Sequence, residues 1–262
     1  MNDNQYLIEF YNKCDEDARL LTRYGAIEFI TTMKYVEKYL KEGMKIIEIG
    51  AATGRYSHTL AKMGYEVDAV ELLEHNIEIF KQNTQKGEKV TVTQANAIDL
   101  SAFESEKYDI TLLLGPMYHL YTEEDKLKAL LEAIRVTKKG GIVFVAYCMG
   151  DASVLQYGFG RGMIHDIIEK CMVDVETFDT FSNPWDIFEL HRKEDIDALR
   201  AHFDVEQLHF VATDGYSNHI REKLDEMDEG VYKIFIKYHL ATCERLDLIG
   251  YSNHTLDIFI KN

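Results

Sequence analysis

Residues 45–56 read KIIEIGAATGRY, an apolar segment followed by a short loop that has a glycine at each end. The apolar segment predicts a buried strand, and the residues after the second glycine predict the start of a helix. Because Gly50 and Gly54 lack a Cβ, the backbone of such a loop can approach a ligand closely. A strand, a glycine-containing loop and a helix in this order are typical of α/β proteins that bind nucleotides. The segment therefore predicts a nucleotide-binding loop.

The spacing within this loop indicates which nucleotide is bound. A dinucleotide-binding loop has the pattern G-x-G-x-x-G, which brings main-chain amides to a pyrophosphate at the start of a helix. Ala52 occupies the position of the second glycine, which disfavours close approach of a diphosphate. The pattern Glu48-x-Gly50-x-x-x-Gly54 instead resembles motif I of class I S-adenosylmethionine-dependent methyltransferases, whose ligand has no phosphate. The resemblance implies S-adenosylmethionine as the cofactor and places around it Glu48, Gly50, Ala51, Ala52, Thr53, Gly54 and Tyr56.

The next predicted strand, residues 65–71, ends in an acid. In doubly wound folds an acidic residue about twenty positions after the glycine loop binds the ribose, and the carboxylate of Glu71 can accept hydrogen bonds from both ribose hydroxyls. Taken alone, Glu71 would be a solvated acid at a strand end. Its position after the glycine loop favours the ribose-binding role, with Leu72 beside it.

Residues 90–100 resemble the third strand and the adenine-binding loop of the family, where the sequence is often Gly-Asp-Ala. This chain has Ala95-Asn96-Ala97, and an asparagine oxygen can still accept a hydrogen bond from the adenine amino group. The resemblance therefore implies that Asn96 and Ala97 bind adenine. It also places Leu114, at the end of the fourth predicted strand, in the cofactor site, and it covers residues 45–148.

Alternation of strand and helix patterns predicts an α/β fold with a doubly wound, mainly parallel sheet. The resemblance implies a Rossmann-like, seven-stranded sheet with an antiparallel last strand. Helices are predicted near residues 26–40, 55–63, 74–85 and 123–138, and further strands at 141–147, 203–211 and 255–260. Between the last two strands, one apolar helix face is predicted from Val231, Ile234, Phe235, Tyr238 and Ala241.

The 262 residues include no linker rich in Pro, Gly or Ser, which favours one domain. We expect an N-terminal helical cap at residues 1–40, a cofactor-binding core at 41–148, a lid insertion at 149–200, and C-terminal strands with a helix at 201–262. The lid contains a dense set of aromatic residues, predicted to form either a small satellite core or the wall of a pocket. These are Tyr157, Phe159, Phe178, Phe181, Trp185 and Phe188.

The formal net charge of −16 argues against DNA or RNA as a partner, because nucleic-acid-binding proteins usually have a basic surface. The four cysteines, Cys14, Cys148, Cys171 and Cys243, form no C-x-x-C pair and are predicted to be reduced thiols. The first residues lack a signal-peptide pattern, and no apolar run is long enough to cross a membrane. We expect a cytoplasmic protein without a membrane partner. The oligomeric state stays open.

The loop after the fourth strand contains the candidate catalytic residues, Tyr118 and His119. His119 is predicted to lie beside the methyl donor and can titrate near neutral pH, as a general base must; alternatively, it only holds the loop in place. The segment from Gly115 to Tyr118 aligns with the Asn/Asp-Pro-Pro-Tyr motif of enzymes that methylate amino groups in nucleic acids or glutamine. Glycine replaces the polar first residue, which disfavours that mechanism. Tyr118 is expected to line the pocket or to orient a substrate hydroxyl or amine.

Upstream of the first long helix, Arg19 is the first candidate to bind the methionyl carboxylate of the cofactor, and Arg23 is the second. The alternative for both is a charged, solvated helix face. A short segment occurs twice, as GYSNH at residues 215–219 and 250–254. Turn formation is the favoured explanation. If the sixth strand is parallel and the seventh antiparallel, the end of one and the start of the other lie at the carboxyl edge of the sheet, so His219 and His254 are secondary candidates for substrate contact. The spacing of the histidines predicts no metal site.

These observations predict methyl transfer from S-adenosylmethionine to a small-molecule oxygen, nitrogen or carbon, with release of S-adenosylhomocysteine. The sulfonium methyl is already activated, so positioning of the acceptor is expected to dominate catalysis. Three alternatives stay open: methylation of a protein or RNA, non-catalytic binding of S-adenosylmethionine or S-adenosylhomocysteine, and a nicotinamide dehydrogenase, which Ala52 disfavours.

Overall fold

The computed structural model describes residues 3–13 and 16–262. The expectations for Cys14 and for the first two residues lie outside this range. In the described part of the chain, eight strands form one sheet. They are β1 (Lys45–Ile49), β2 (Glu66–Glu71), β3 (Val90–Gln94), β4 (Tyr108–Leu113), β5 (Thr137–Met149), β6 (Leu190–His191), β7 (Val205–Ala212) and β8 (His254–Lys261).

The strand order is β3-β2-β1-β4-β5-β8-β7, with β6 beside the end of β5. Strands β1 to β5 are parallel, whereas β8 is antiparallel to both of its neighbours, β5 and β7. This topology confirms the predicted doubly wound sheet with an antiparallel last strand. Strand β6 was not predicted, because two residues are too few to show the alternation that identifies a strand.

The described residues form the following α-helices: α1 (Asp3–Tyr11), α2 (Glu16–Arg19), α3 (Arg23–Tyr39), α4 (Arg55–Lys62), α5 (Glu74–Asn83), α6 (Glu123–Val136), α7 (Gly150–Ser153), α8 (Ile164–Glu169), α9 (Lys193–Arg200), α10 (Arg221–Glu226) and α11 (Glu229–Thr242). A π-helix at Val154–Gly160 continues α7. Helices α3, α4, α5 and α6 begin and end within three residues of their predicted bounds. Two of them begin after a threonine whose hydroxyl accepts a backbone N–H, as N-cap residues do: Thr22 before α3 and Thr122 before α6.

The core lies on both faces of the sheet. Successive residues of β5 point to opposite faces, so Val143 packs on the side of α6 and Phe144 packs on the side of α3. Burial on both sides explains why β5 is a continuous apolar run rather than an alternating one.

Helix α11 is present, but its predicted apolar face is wrong. Val231, Ile234 and Tyr238 are exposed, whereas Tyr232 and His239 are buried. The buried side includes a histidine whose Nε2 lies 3.0 Å from the Thr31 hydroxyl in α3. The pattern of apolar residues could not identify this buried face, because the face includes a hydrogen-bonded histidine.

Within the described ranges, no helix is both long and apolar enough to cross a membrane. Cys148 and Cys243 are buried and Cys171 is exposed, and all three are free thiols.

Candidate functional site

A cavity of about 630 Å³ opens at the carboxyl edge of the sheet. Its walls come from the loops after β1 and β4, from the N-terminal helices, from the segment between β5 and β6, and from the ends of β7 and β8 that meet at this edge. Open α/β sheets bind their ligands at this position. The cavity is therefore the candidate functional site.

The glycine loop forms one wall. Gly50 has a φ of +83°, and a Cβ there would lie 2.5 Å from Cδ of Pro116 and 2.8 Å from the carbonyl oxygen of Leu114. Gly54 has a φ of +95°, and a Cβ there would lie 2.6 Å from the ring of Phe80. Both contacts are with the protein itself. The sequence predicts that these glycines allow a ligand to approach the backbone. In the structure they are also required because a side chain at either position would collide with neighbouring protein atoms.

Glu71 holds this loop from behind. Its carboxylate accepts hydrogen bonds from the Ala52 N–H at 2.8 Å, the Leu73 N–H at 2.9 Å and the Asn76 side-chain amide at 3.2 Å. Burial raises the pKa of Glu71. The backbone of Leu72 also donates to this carboxylate, so protein donors surround Glu71. Glu71 and Leu72 are not among the described residues that line the cavity.

The predicted adenine residues are also engaged by the protein. The side-chain oxygen of Asn96 accepts the Ile98 N–H at 3.3 Å and so shapes its own turn. Ala97 is buried in the core. Neither residue is among those that line the cavity in the described chain, and neither is Gly54. The remaining predicted residues of the glycine loop and of strand β4 do line it: Glu48, Gly50, Ala51, Ala52, Thr53, Tyr56 and Leu114.

Glu48 is a buried acid in the cavity wall. The Ser57 N–H donates to its carboxylate at 2.9 Å, and the Ser57 hydroxyl donates to the same oxygen. Burial outweighs these two hydrogen bonds and raises the pKa of Glu48 to about 8. Glu48 is therefore largely protonated at neutral pH.

The two candidate arginines of the N-terminal segment have different surroundings. Arg19 lines the cavity and forms a two-pronged ion pair with the buried Glu28, at 2.7 and 3.4 Å. Arg23 points away from the cavity, where it donates to the carbonyl oxygens of Leu224 and Met227.

Sequence reasoning missed a third arginine, Arg55, which follows the glycine loop directly. Its guanidinium carbon lies 4.7 Å from the ring centre of Phe29, and the residue lines the cavity. Its Nε atom is buried and has no hydrogen-bond partner among the described residues. Its place at the first position of α4 was a usable signal, because the start of a helix attracts anionic ligands.

His119 lies behind the cavity wall with both ring nitrogens engaged. Nδ1 is 2.8 Å from the carbonyl oxygen of Ile187, so Nδ1 carries the proton, and Nε2 accepts from the Tyr11 hydroxyl at 2.9 Å. Burial lowers the pKa of His119 to about 4. These contacts agree with the alternative that this histidine holds the loop in place. Tyr118 lines the cavity, and burial raises its pKa well above the usual value, so its phenol is neutral.

A charged cluster contributes Glu28 and His254 to the cavity wall. Nδ1 of His254 lies 2.7 Å from the Asp214 carboxylate and 3.7 Å from the Glu28 carboxylate. Burial alone would lower the pKa of His254, but the nearby acidic groups, Glu28 foremost, raise it well above the usual value. The ring is therefore an imidazolium between two carboxylates. The ligand atoms of these three residues lie within 4.8 Å of one another, and the ion pairs of His254 account for this spacing.

The two GYSNH copies contact each other and place this cluster. The Ser252 hydroxyl in the second copy donates to Asp214, which precedes the first copy, at 2.6 Å. The rings of Tyr216 and Tyr251 meet edge to face. His254 lines the cavity, whereas His219 lies outside the cavity wall at the surface, 2.9 Å from the Tyr251 carbonyl oxygen.

The lid aromatics are divided between the cavity and the surface. Tyr157, Phe181 and Phe188 line the cavity. Phe159, Phe178 and Trp185 are exposed. The predicted pocket wall is thus made by half of these residues.

Residues 47–145 match a family model described as "Methyltransferase domain". Within these residues the chain thus has a class I S-adenosylmethionine-dependent methyltransferase domain, which confirms the resemblance noted in the sequence. This domain implies S-adenosylmethionine as the cofactor.

Several proteins are similar to this chain. It is 27% identical over 147 residues to a glycine/sarcosine N-methyltransferase of Aphanothece halophytica, covering 54% of this chain and 53% of that protein. It is 34% identical over 84 residues to the ribosomal protein L11 methyltransferase of Dictyoglomus turgidum, covering 32% of this chain and 27% of that protein. The chain thus spans about half the length of these relatives or less.

A solved SAM-dependent methyltransferase from Methanosarcina mazei has the same fold. It superposes with a TM-score of 0.57 at 18% identity, over 87% of this chain and 96% of that one. At this identity the likeness concerns the fold.

Proposed function

We propose that this chain transfers a methyl group from S-adenosylmethionine to a small-molecule acceptor and releases S-adenosylhomocysteine. The observation that carries the proposal is one cavity lined both by the glycine loop with Arg55 and by a charged cluster. Glu28 and His254 of this cluster line the cavity, and the buried Asp214 forms an ion pair with His254. A volume of about 630 Å³ accommodates a cofactor and a small acceptor, within the usual size of ligand pockets.

The glycine loop and Arg55 fit the cofactor. The buried Nε of Arg55 has no partner among the described residues, and a guanidinium binds a carboxylate with two parallel hydrogen bonds. Because Arg19 already holds Glu28, we assign the methionyl carboxylate to Arg55 first, with Arg19 beside it. Glu71 keeps its proposed ribose role, and Asn96 and Ala97 stay proposed as adenine residues.

When bound, the cofactor supplies an activated methyl group. The protein is left to orient the acceptor, which contributes roughly 7–11 kcal/mol, whereas a general base contributes about 10²–10⁴-fold in rate. His119 has no nitrogen to spare for a base, since both are engaged by the protein. Tyr118 faces the cavity and is the residue we assign to orient the acceptor.

The names of the relatives support two acceptor classes: glycine or sarcosine for one, and a ribosomal protein for the other. The aromatic lining favours a small acceptor, since Tyr157, Phe181 and Phe188 line the cavity and provide apolar surface for a small molecule.

Label transfer tests this choice. The full chain is incubated with methyl-labelled S-adenosylmethionine and a cell extract, which is then separated by molecular mass. We expect the label in the low-mass fraction. Label in protein or RNA would support the alternative acceptor class, and binding of S-adenosylhomocysteine without any label transfer would support the non-catalytic alternative.

A further inference from the structure

We infer that the methyl acceptor carries an anionic group, a carboxylate or a phosphate, and that Arg221 binds it. This inference rests on the proposed function, since it assigns a further lining residue of the same cavity. Arg221 lines the cavity, and Asn218 and Asp214 connect it to His254 through hydrogen bonds. It begins α10, which follows the first GYSNH copy.

The guanidinium of Arg221 has no acidic partner among the described residues. Its Nε and Nη2 both donate to the side-chain oxygen of Asn218, which is neutral. Its guanidinium carbon lies 4.2 Å from the ring centre of Tyr24, which holds the group in place from one face. Arginine side chains in a partly buried site are usually paired with a carboxylate or a phosphate. The positive charge of Arg221 is therefore left for a ligand.

A polar network fixes the direction of this guanidinium. The side-chain amide nitrogen of Asn218 donates to Asp214, so its oxygen must face Arg221. Asp214 is held in turn by His254, and the backbone carbonyl oxygen of Asn218 accepts from the Gln156 side chain of the π-helix at 3.1 Å. Such preorganisation reduces the entropy lost when an anion binds.

The pairing of the charged residues at the cavity indicates that Arg221 binds the acceptor rather than the cofactor. Arg19, Glu28, His254 and Asp214 compensate one another. Arg55 and Arg221 are the two lining arginines for which the described residues provide no acid partner. The cofactor has one carboxylate, and Arg55 lies on its side of the cavity. The second guanidinium therefore matches an anion on the acceptor.

Asn253 indicates that the acceptor molecule also carries a hydrogen-bond donor. It lines the cavity, it is 7% exposed, and its side-chain oxygen is buried without a hydrogen-bond partner among the described residues. A buried acceptor of this kind is costly unless a donor reaches it. An acceptor molecule with an N–H or O–H group beside its acid, as in an amino or hydroxy acid, satisfies both residues.

The test uses the low-mass fraction of a cell extract, divided by an anion-exchange resin at about pH 10, where amino acids are net anions. The retained and unretained metabolites are each incubated with the full chain and methyl-labelled S-adenosylmethionine. We compare the wild type with Arg221→Gln, Arg221→Lys and Arg245→Gln. Arg245 is an exposed arginine paired with Asp247, which makes it a matched control.

We expect the label to enter retained metabolites. Arg221→Gln should lower this transfer at least about tenfold, Arg221→Lys should restore part of it, and Arg245→Gln should leave it unchanged. The affinity for S-adenosylhomocysteine should be equal in all four proteins, which shows that each one folds.

Three results overturn the inference: label confined to unretained metabolites, equal transfer by Arg221→Gln and the wild type, or cofactor binding without any labelled anion. Failure of the wild type to bind S-adenosylhomocysteine would instead overturn the proposed function.

Discussion

Glu48 is a buried acid whose charged form is unfavourable. It is 2% exposed, and Ser57 alone donates hydrogen bonds to it in the described structure. Two hydrogen bonds do not repay the loss of hydration of a carboxylate, so the protein keeps this side chain protonated over the neutral range.

Replacement of Glu48 by Gln should stabilise the protein increasingly as the pH rises. The pKa of Glu48 rises on folding from an ordinary 4.5 to about 8. Its contribution to stability is therefore complete below pH 4.5 and is lost as the pH rises towards 8. Relative to the wild type, Glu48→Gln should gain up to about 1.4 kcal/mol per pH unit within this window. Urea unfolding at a series of pH values measures this.

The control for this series is Glu66→Gln, a change at the exposed first residue of β2. A stability difference between Glu48→Gln and the wild type that stays constant from pH 4.5 to 8 would contradict the assignment.

Loss of Glu71 should weaken cofactor binding. Its carboxylate accepts the Ala52 and Leu73 N–H groups, so Glu71→Ala releases the glycine loop and leaves buried donors unpaired. We expect affinity for S-adenosylhomocysteine to fall at least about tenfold in calorimetric titration. Glu66→Ala, at the other end of the same strand, should bind as the wild type does. Equal affinities of the two variants would argue against a role for Glu71 in the site.

Sequence patterns located the cavity better than they located its charged contacts. The glycine loop and the end of β4 were identified because their residues are contiguous in the chain. Arg55, Glu28 and Arg221 were missed, because whether an arginine is paired depends on residues that are distant in sequence. The ion pair of Arg19 with Glu28 is of the same kind.

At the scale of elements, the GYSNH repeat has a structural explanation that its sequence conceals. Its two serines are equivalent in sequence but differ in their contacts. The Ser252 hydroxyl donates to Asp214 at 2.6 Å and accepts the Gly215 N–H at 2.9 Å. The Ser217 hydroxyl is buried and has no partner among the described residues.

The two serines should therefore respond differently to alanine. Ser252→Ala should lower the free energy of unfolding by about 1–3 kcal/mol, because it leaves the buried Gly215 N–H without a partner and removes one of the donors to Asp214. Ser217→Ala removes a polar group that is already unpaired, so it should be neutral or stabilising. Chemical denaturation of both variants measures this. Equal destabilisation by the two substitutions would contradict the described pairing of the repeats.

Periodicity predicted the elements and missed some of their faces. Strands β1 to β5 are buried on both sides or alternate, α3 to α6 have apolar stripes, and α3 and α6 also have threonine caps, so local sequence determines these elements. Helix α11 buries His239 through a hydrogen bond to Thr31, which no apolar pattern reveals. The π-helix and β6 arise from tertiary packing beside the cavity.

For the whole molecule, net charge and site charge differ in sign. The chain carries a formal charge of −16, which disfavours nucleic acid as a partner. The cavity nevertheless presents Arg55 and Arg221, two guanidinium groups that the described acids leave uncompensated. Composition describes long-range attraction and repulsion, whereas the fold decides which charges face a ligand.

The topology of the sheet explains why the glycine loop and the start of β8 line the same cavity. Strand β8 runs antiparallel to β5 and β7, so it begins at the edge where β1, β4 and β7 end. His254, the first residue of β8, therefore lies at the carboxyl edge with the glycine loop. This arrangement followed from the predicted strand directions, but the ion pairs of His254 did not.

The central claim is that the cavity beside Gly50 and Ala52 binds an adenosyl amino acid rather than a dinucleotide. Isothermal titration calorimetry of the full chain with S-adenosylhomocysteine, and separately with NAD, measures this directly. We predict saturable binding of one S-adenosylhomocysteine per chain and no detectable binding of NAD. Tight binding of NAD, or no binding of S-adenosylhomocysteine, would contradict the account.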